Sequence, residues 1–229
     1  MENANLLFSI GPLQVTSTVV TMWALIAAVA LVSWLATRNL REVPGPLQNL
    51  AEMAVEKLRG FFGDSMGSEL TARYLPLLGT FFIFIIVCNY SGLLPGVGHV
   101  KGMAQPTANL SVTAGLGVCA FFTTHFVGVR ERGLKPYLAS FANVRPLILC
   151  VIMIPLNLIE QFIRPLSLAL RLYGNMYGEE TVTENLYELF PIGLPLIMQV
   201  LSLLFCLLQA IVFTMLLSIY ISEAVETEE

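Results

Sequence analysis

Seven polar residues in one stretch of this chain fall on a single helical line. Asn157, Glu160, Arg164, Ser167, Arg171, Asn175 and Glu179 follow one another at spacings of 3, 4, 3, 4, 4 and 4, and residues three or four apart on a helix share a face. At 1.5 Å per residue the line covers roughly 33 Å, about the thickness of a bilayer's hydrocarbon core. Carboxylates, amides and hydroxyls spaced this way can hold water and pass protons, and ionisable residues at membrane depth mark ion routes or proton relays. Two arginines interrupt the line. An arginine keeps its proton, so it relays nothing; it blocks a water file and repels a proton. Arg164 has Glu160 four residues away and is expected to pair with it. Arg171 has Ser167, Leu168, Gly174 and Asn175 three and four residues away and no carboxylate among them. Its partner is expected to come from elsewhere. In the middle of the line, Arg171 would split one leak path into two dead-end halves that only a moving carrier could join.

A shorter line, Gln199, Ser202, Cys206 and Gln209, lies further along at spacings of 3, 4 and 3. Other readings of these residues stay open. A static network could pair Arg164 and Arg171 with Glu160, Glu179 and Glu180. A secondary transporter could use Arg171 to bind an anionic substrate, although such folds often carry paired repeats and none is visible here. A purely structural membrane anchor would leave the polar line unexplained.

The elements that must carry these residues are set by hydropathy. The chain has 229 residues, 56% of them hydrophobic and only 12% charged, with a mean hydropathy of +0.75; soluble domains carry about a quarter charged residues. The expectation is an all-α membrane protein forming one membrane domain over residues 1–229. Apolar runs at 15–37, 75–95, 109–129 and 192–222 approach or exceed the roughly 20 residues a crossing needs. A fifth run, 146–189, holds the polar line. It is too long for one perpendicular crossing, so strong tilt or a bend is expected, with Pro155 and Pro165 as places to bend. Five crossings result, the last two helices forming a long tilted hairpin. Residues 46–62 read as an amphipathic helix on the membrane surface, with Leu47, Leu50, Ala54, Leu58 and Phe61 on one face and Gln48, Glu52, Glu56 and Arg59 away from it. A helix packed on the protein's own loops is the alternative.

Orientation follows from the basic residues. The loop 38–73 holds five Lys and Arg and the loop 130–145 holds four, while the segment before Arg38 and the turn near 189–191 hold none. Basic loops stay cytoplasmic. The N-terminus is then expected outside and the acidic tail inside. The start of the chain has no basic n-region and no small-residue cleavage site, so its first apolar segment is expected to remain. Cys88, Cys119, Cys150 and Cys206 sit in apolar runs without metal or redox spacing and are expected to pack. His99 and His125 lie off the polar line and read as loop or helix-end residues. Trp23 and Trp34 fit interface or packing positions. No phosphate loop, zinc spacing or nucleophile triad is present, so no catalytic site of its own, cofactor or nucleic-acid partner is expected.

The segment "PLNLIEQFIRPLSLALRLYGNMYGEE" resembles the signature of subunit a of the F-type ATP synthase: an arginine, an aromatic, Gly-Asn, and a glutamate nine residues after the arginine. "TFFIFIIVCNYSGLLPG", "PTANLSVTAGLG" and "LLQAIVFTMLLSIYISEA" are similar to other family segments, so the likeness runs from about Arg38 to the end. The spacing of "NLIE" and the pair Glu179–Glu180 look most like the cyanobacterial and chloroplast branch. The resemblance implies that the last two helices lie nearly horizontally against a rotating ring of c subunits, with Arg171 opposite the ring's ion-binding carboxylate. Asn175, Glu180 and Gln209 match positions that shape the ion path. Glu179, Glu180 and Ser202 would line access from outside, and Asn157 and Glu160 the cytoplasmic exit; Arg164, Ser167 and Gln199 support the line. Peripheral-stalk b subunits, the lipid bilayer and, indirectly, the ATPase head are the implied partners, and a bacterial inner membrane the implied location. Asn109 departs from that branch, standing where an acidic residue is usual.

Overall fold

In the computed structural model, residues 6–10, 13–38, 42, 44–94, 104–140, 147–189 and 193–226 are described. Seven helices dominate them. They are α1 (Ser17–Thr37), α2 (Pro46–Met66), α3 (Ser68–Ser91), α4 (Leu110–Arg132), α5 (Leu134–Ser140), α6 (Leu147–Leu189) and α7 (Leu194–Val225). A short 3-10 turn, Pro106–Ala108, precedes α4. His99, Lys101 and the turn near 190–191 lie outside the described residues.

The all-helical expectation needs one correction at the start. Strands β1 (Leu6–Ile10) and β2 (Leu13–Thr16) pair antiparallel, so α1 begins at Ser17, not at residue 15. A short apolar run cannot be told from part of a helix by periodicity alone. Here the run flanks the turn-forming dipeptide Gly11-Pro12 in the sequence.

Four of the described helices are long and apolar enough to cross a membrane: Ser17–Thr37, Ser68–Ser91, Leu110–Arg132 and Leu196–Val225. The chain is a multi-pass membrane protein. The long helix α6 has 43 residues, about 65 Å at 1.5 Å per residue. It runs as one helix through Pro155 and Pro165, each of which removes one backbone hydrogen bond.

The amphipathic helix α2 is longer than its sequence pattern implies. It passes Gly63 and ends at Gly67, whose φ of 77° a side chain would disfavour. Its last turns dock: Phe62 and Met66 are buried in the bundle, and Ser65 Oγ lies 3.0 Å from Ser218 Oγ of α7. Leu50, Met53 and Val55 remain exposed. The helix is thus packed on α3 and α7 at one end, in place of the loops of the alternative reading, and carries apolar side chains outward at the other.

The bundle core is built from one face of each helix. On α7 the buried set is Cys206, Ala210, Phe213, Leu217 and Ile221; on α6 it is Leu168, Leu172 and Met176; α3 adds Leu78 and Ile85. The α6 and α7 sets recur at three and four residues and the α3 pair at seven, two turns, as helix faces must. The α4 and α6 backbones meet at Gly117, where a Cβ would stand 2.8 Å from Pro165 O. Close approach of this kind is what holds membrane helices together in the absence of a hydrophobic drive between them. Gly117→Ala is therefore expected to destabilise the solubilised protein by about 1–3 kcal/mol, as overpacking does. A fall in the thermal unfolding midpoint in detergent checks this; an unchanged midpoint would show that the two helices have room to part.

Candidate functional site

Side chains tie α6 to α7 in an antiparallel register. Tyr187 Oη accepts from Gln199 Nε2 at 3.2 Å. Asn175 Nδ2 donates to Gln209 Oε1 at 2.9 Å, and Arg164 pairs with Glu223. As the number falls along α6 it rises along α7. The two polar lines thus face each other in part: Ser202 and Gln209 of α7 are buried rather than presented outward.

Two cavities open along this hairpin, the first walled mainly by apolar groups around a few polar side chains and the second mainly by polar ones. The first, of about 270 Å³, is lined by Gly174, Asn175, Gly178, Glu179, Ser202 and neighbouring apolar residues. Ser202 interacts with the Glu179 carboxylate there. Glu179 Oε2 and Gln209 Nε2 are buried without a protein partner among the described residues. Buried polar atoms are nearly always paired, so Glu179 Oε2 is placed to take a proton or accept from a water, and Gln209 Nε2 to donate to one. Glu180 is half-buried and does not line this cavity.

The second cavity, of about 190 Å³, is lined by Asn157, Glu160, Gln161, Arg164, Tyr220, Glu223 and others, including Arg132, Tyr137 and Glu226. Arg164 is its centre. It pairs with Glu160 at 2.6 Å and with Glu223, and its guanidinium lies 4.9 Å from the Tyr220 ring centroid. The Glu160 pair has the spacing expected from the sequence. The Glu223 partner and Tyr220 do not belong to the sequence-derived set, although a signal exists. Continuing the α7 line from Gln209 by steps of 4, 3, 4 and 3 passes Phe213 and Leu216 and reaches Tyr220 and Glu223.

Arg171 stands between the cavities. It lies seven residues after Arg164 and three before Gly174, about 10 Å and 5 Å of helix rise. Its side chain is exposed. Ion pairs among the described residues are Arg73–Glu131, Arg164–Glu160 and Arg164–Glu223, and Arg171 is in none of them. The outward face beside it on α6 is apolar, with Leu166 and Leu170 exposed, and on α7 the apolar outward face continues from Met215, near the level of Arg171, to Leu208, Leu207, Leu204 and Leu203, which lie beside the later turns of α6. Ser167 is half-buried one turn before it.

Other sequence readings resolve as follows. Asn109 caps α4, its side-chain oxygen accepting from Ser111 N at 2.9 Å. Cys88, Cys119 and Cys206 are free. Trp34 is exposed at the end of α1, with the Arg38 guanidinium 5.0 Å from its ring centroid. His125 is not at a helix end. It sits within α4 with Nδ1 2.6 Å from Tyr137 Oη of α5, a helix the sequence reading left as loop.

Such a site defines a class: a multi-pass membrane protein with ionisable side chains and cavities distributed along two long helices. Comparison with known proteins makes the assignment specific. The family described as ATP synthase A chain matches residues 19–222. ATP synthase subunit a 2 of Bradyrhizobium sp. strain BTAi1 is 40% identical over 222 residues, covering 97% of this chain and 94% of the relative. ATP synthase subunit a of Moorella thermoacetica is 37% identical, covering 96% and 95%. ATP synthase subunit a 1 of Syntrophotalea carbinolica is 42% identical, covering 89% and 83%. The chain belongs to the ATP synthase subunit a family. It is accordingly a component of the proton-transporting complex and not its catalytic part.

Proposed function

We infer that this chain is the stator subunit through which protons reach and leave a rotating ring of c subunits, by two offset half-channels separated by Arg171. The observation that carries the reading is the placement of Arg171, exposed, outside every ion pair of the described residues, and between two cavities that each hold carboxylate side chains. The cavity beside Glu179 and Ser202 is the access from outside, with Glu180 nearby. The cavity around Asn157, Glu160, Arg164 and Glu223 is the cytoplasmic exit. A proton entering by the first neutralises a ring carboxylate, which can then turn into lipid. After nearly a full turn the site loses its proton to the second and meets Arg171 as an anion. Asn175 and Gln209 hold the two helices together beside that meeting point.

The same reading gives α6 the fifth crossing, strongly tilted with α7 against the ring, an N-terminus outside and a C-terminus in the cytoplasm of a bacterial inner membrane. Peripheral-stalk b subunits then hold the chain still, and the ATPase head is reached through them. The exposed apolar face around Arg171 supports ring contact: a cation on a lipid-facing surface would cost about 2.5–3.5 kcal/mol on insertion scales, and a ring carboxylate removes that cost.

Cross-linking in the assembled complex tests this. Leu170→Cys and Leu207→Cys are expected to form disulfides with a cysteine placed next to the ring carboxylate. Phe122→Cys, exposed on α4, is expected to form none. Absence of cross-links from α6 and α7 in an intact complex would sink the ring-facing assignment, and uptake of an anionic solute by the chain alone would favour a transporter.

A further inference from the structure

We propose that His125 is a proton-exchanging group of the Glu160–Arg164–Glu223 cavity, joined to it through Tyr137; the inference rests on reading that cavity as the cytoplasmic half-channel. The two residues come from different helices. His125 Nδ1 is 2.6 Å from Tyr137 Oη, a short contact for a neutral pair. Phe121 fixes the imidazole, its ring edge-on with centroids 4.0 Å apart, and Phe162 of α6 stacks on Phe121 at 5.7 Å. Tyr137 is fixed from behind: a Cβ at Gly128 would stand 2.5 Å from its ring, so only glycine leaves that space.

The pair also lies between two spaces. His125 lines a small cavity of about 10 Å³, on the scale of a single water. Tyr137 lines the larger cavity of about 190 Å³. Thr124, Gln161, Arg164 and Tyr220 line both, so the two spaces share a wall of polar side chains. Charged and titratable groups around the pair are Arg132 from α4, Glu160 and Arg164 from α6, and Tyr220, Glu223 and Glu226 from α7.

Histidine is the side chain whose unperturbed charge change falls at physiological pH, and its two nitrogens allow a proton to arrive at one and leave from the other. The transfer balances. Nε2 takes a proton, the Nδ1 proton passes to Tyr137 Oη, and the phenol releases its own proton to the larger cavity. No net charge stays on either residue, the imidazole is left as its other tautomer, and the reverse sequence carries a proton inward. His125 thereby gives the half-channel a group with two exchangeable ring positions beside an arginine-clamped carboxylate pair.

The test uses the complete complex in vesicles, following ATP-driven proton pumping while the pH on the cytoplasmic side is varied between about 5 and 8, where an imidazole titrates. His125→Gln and Tyr137→Phe are each expected to slow pumping several-fold and to remove the imidazole inflection from the cytoplasmic-side profile alone. Glu160→Gln and Glu223→Gln serve as controls for the half-channel. If the controls slow pumping but both test variants keep the wild-type rate and profile, His125 has no part in transfer and the half-channel stands. If the controls also pump normally, the cavity is no proton path and both readings fall. Should His125→Gln not assemble, Tyr137→Phe decides by itself: a lost inflection supports the relay and a retained one overturns it.

Discussion

Arg171→Ala is expected to abolish ATP synthesis by the assembled complex, and Arg171→Lys is expected not to restore it. The loss should be at least about a hundredfold, which corresponds to ~2.7 kcal/mol or more. Two unit charges 4 Å apart attract by about 4 kcal/mol at an effective dielectric of 20. One charge moving through 100 mV gains only about 2.3 kcal/mol. A ring carboxylate held by a dry, close pair would therefore stall, while an unopposed one would let protons leak from one cavity to the other. On the proposed reading, the exposed Arg171 between two cavities meets both demands if water reaches it: it keeps its charge, and hydration keeps the attraction shallow. Lysine keeps the charge as a compact, strongly hydrated point on a flexible stem and loses the planar five-donor fork. ATP synthesis driven by an imposed proton gradient in vesicles, with assembly checked by co-purification of the ring, measures the effect. Synthesis at wild-type rate by purified Arg171→Ala complex would remove the arginine from the mechanism.

Proton uptake should suffer when the outer-side carboxylates are made neutral. Glu180→Gln is expected to slow flux on the order of a hundredfold, the scale on which positioned acid–base groups act, with little effect on assembly. Glutamine fills the same volume and can hydrogen-bond, but it cannot bind and release a proton. Glu179→Gln is the informative companion, because Glu179 lines the cavity with Ser202 while Glu180 does not. A large effect at Glu179 and none at Glu180 would move the path into the cavity alone. Equal effects would make the two carboxylates successive stations. Normal flux in both variants would show that protons reach the ring by another way. Flux through the ring sector in head-free vesicles under an imposed potential separates this step from catalysis.

Much of this was legible from residue order, for a local reason. Helical periodicity acts over three or four residues, so the α6 polar line, the Glu160–Arg164 pair and the absence of a carboxylate near Arg171 could all be counted along the chain. Where a fact was nonlocal, counting failed. Glu223 closes on Arg164 across 59 residues, and Ser65 meets Ser218 across 153; no period links them. His125 looked idle because its partner Tyr137 sits on a seven-residue helix within a stretch read as a basic loop. The N-terminal strands escaped for a different reason, because an apolar run of four or five residues supports helix and strand equally.

From the sequence by itself came the membrane class, the long polar helix and the isolated cation, because hydropathy and spacing are properties of neighbours along the chain. The tertiary structure alone decided that the α7 line turns inward onto α6, that two separate cavities flank Arg171, and that Arg164 is clamped from both helices. Those depend on the register in which α6 and α7 lie against each other and on how near α4 approaches at Gly117, and such distances are set by packing between segments far apart in the chain.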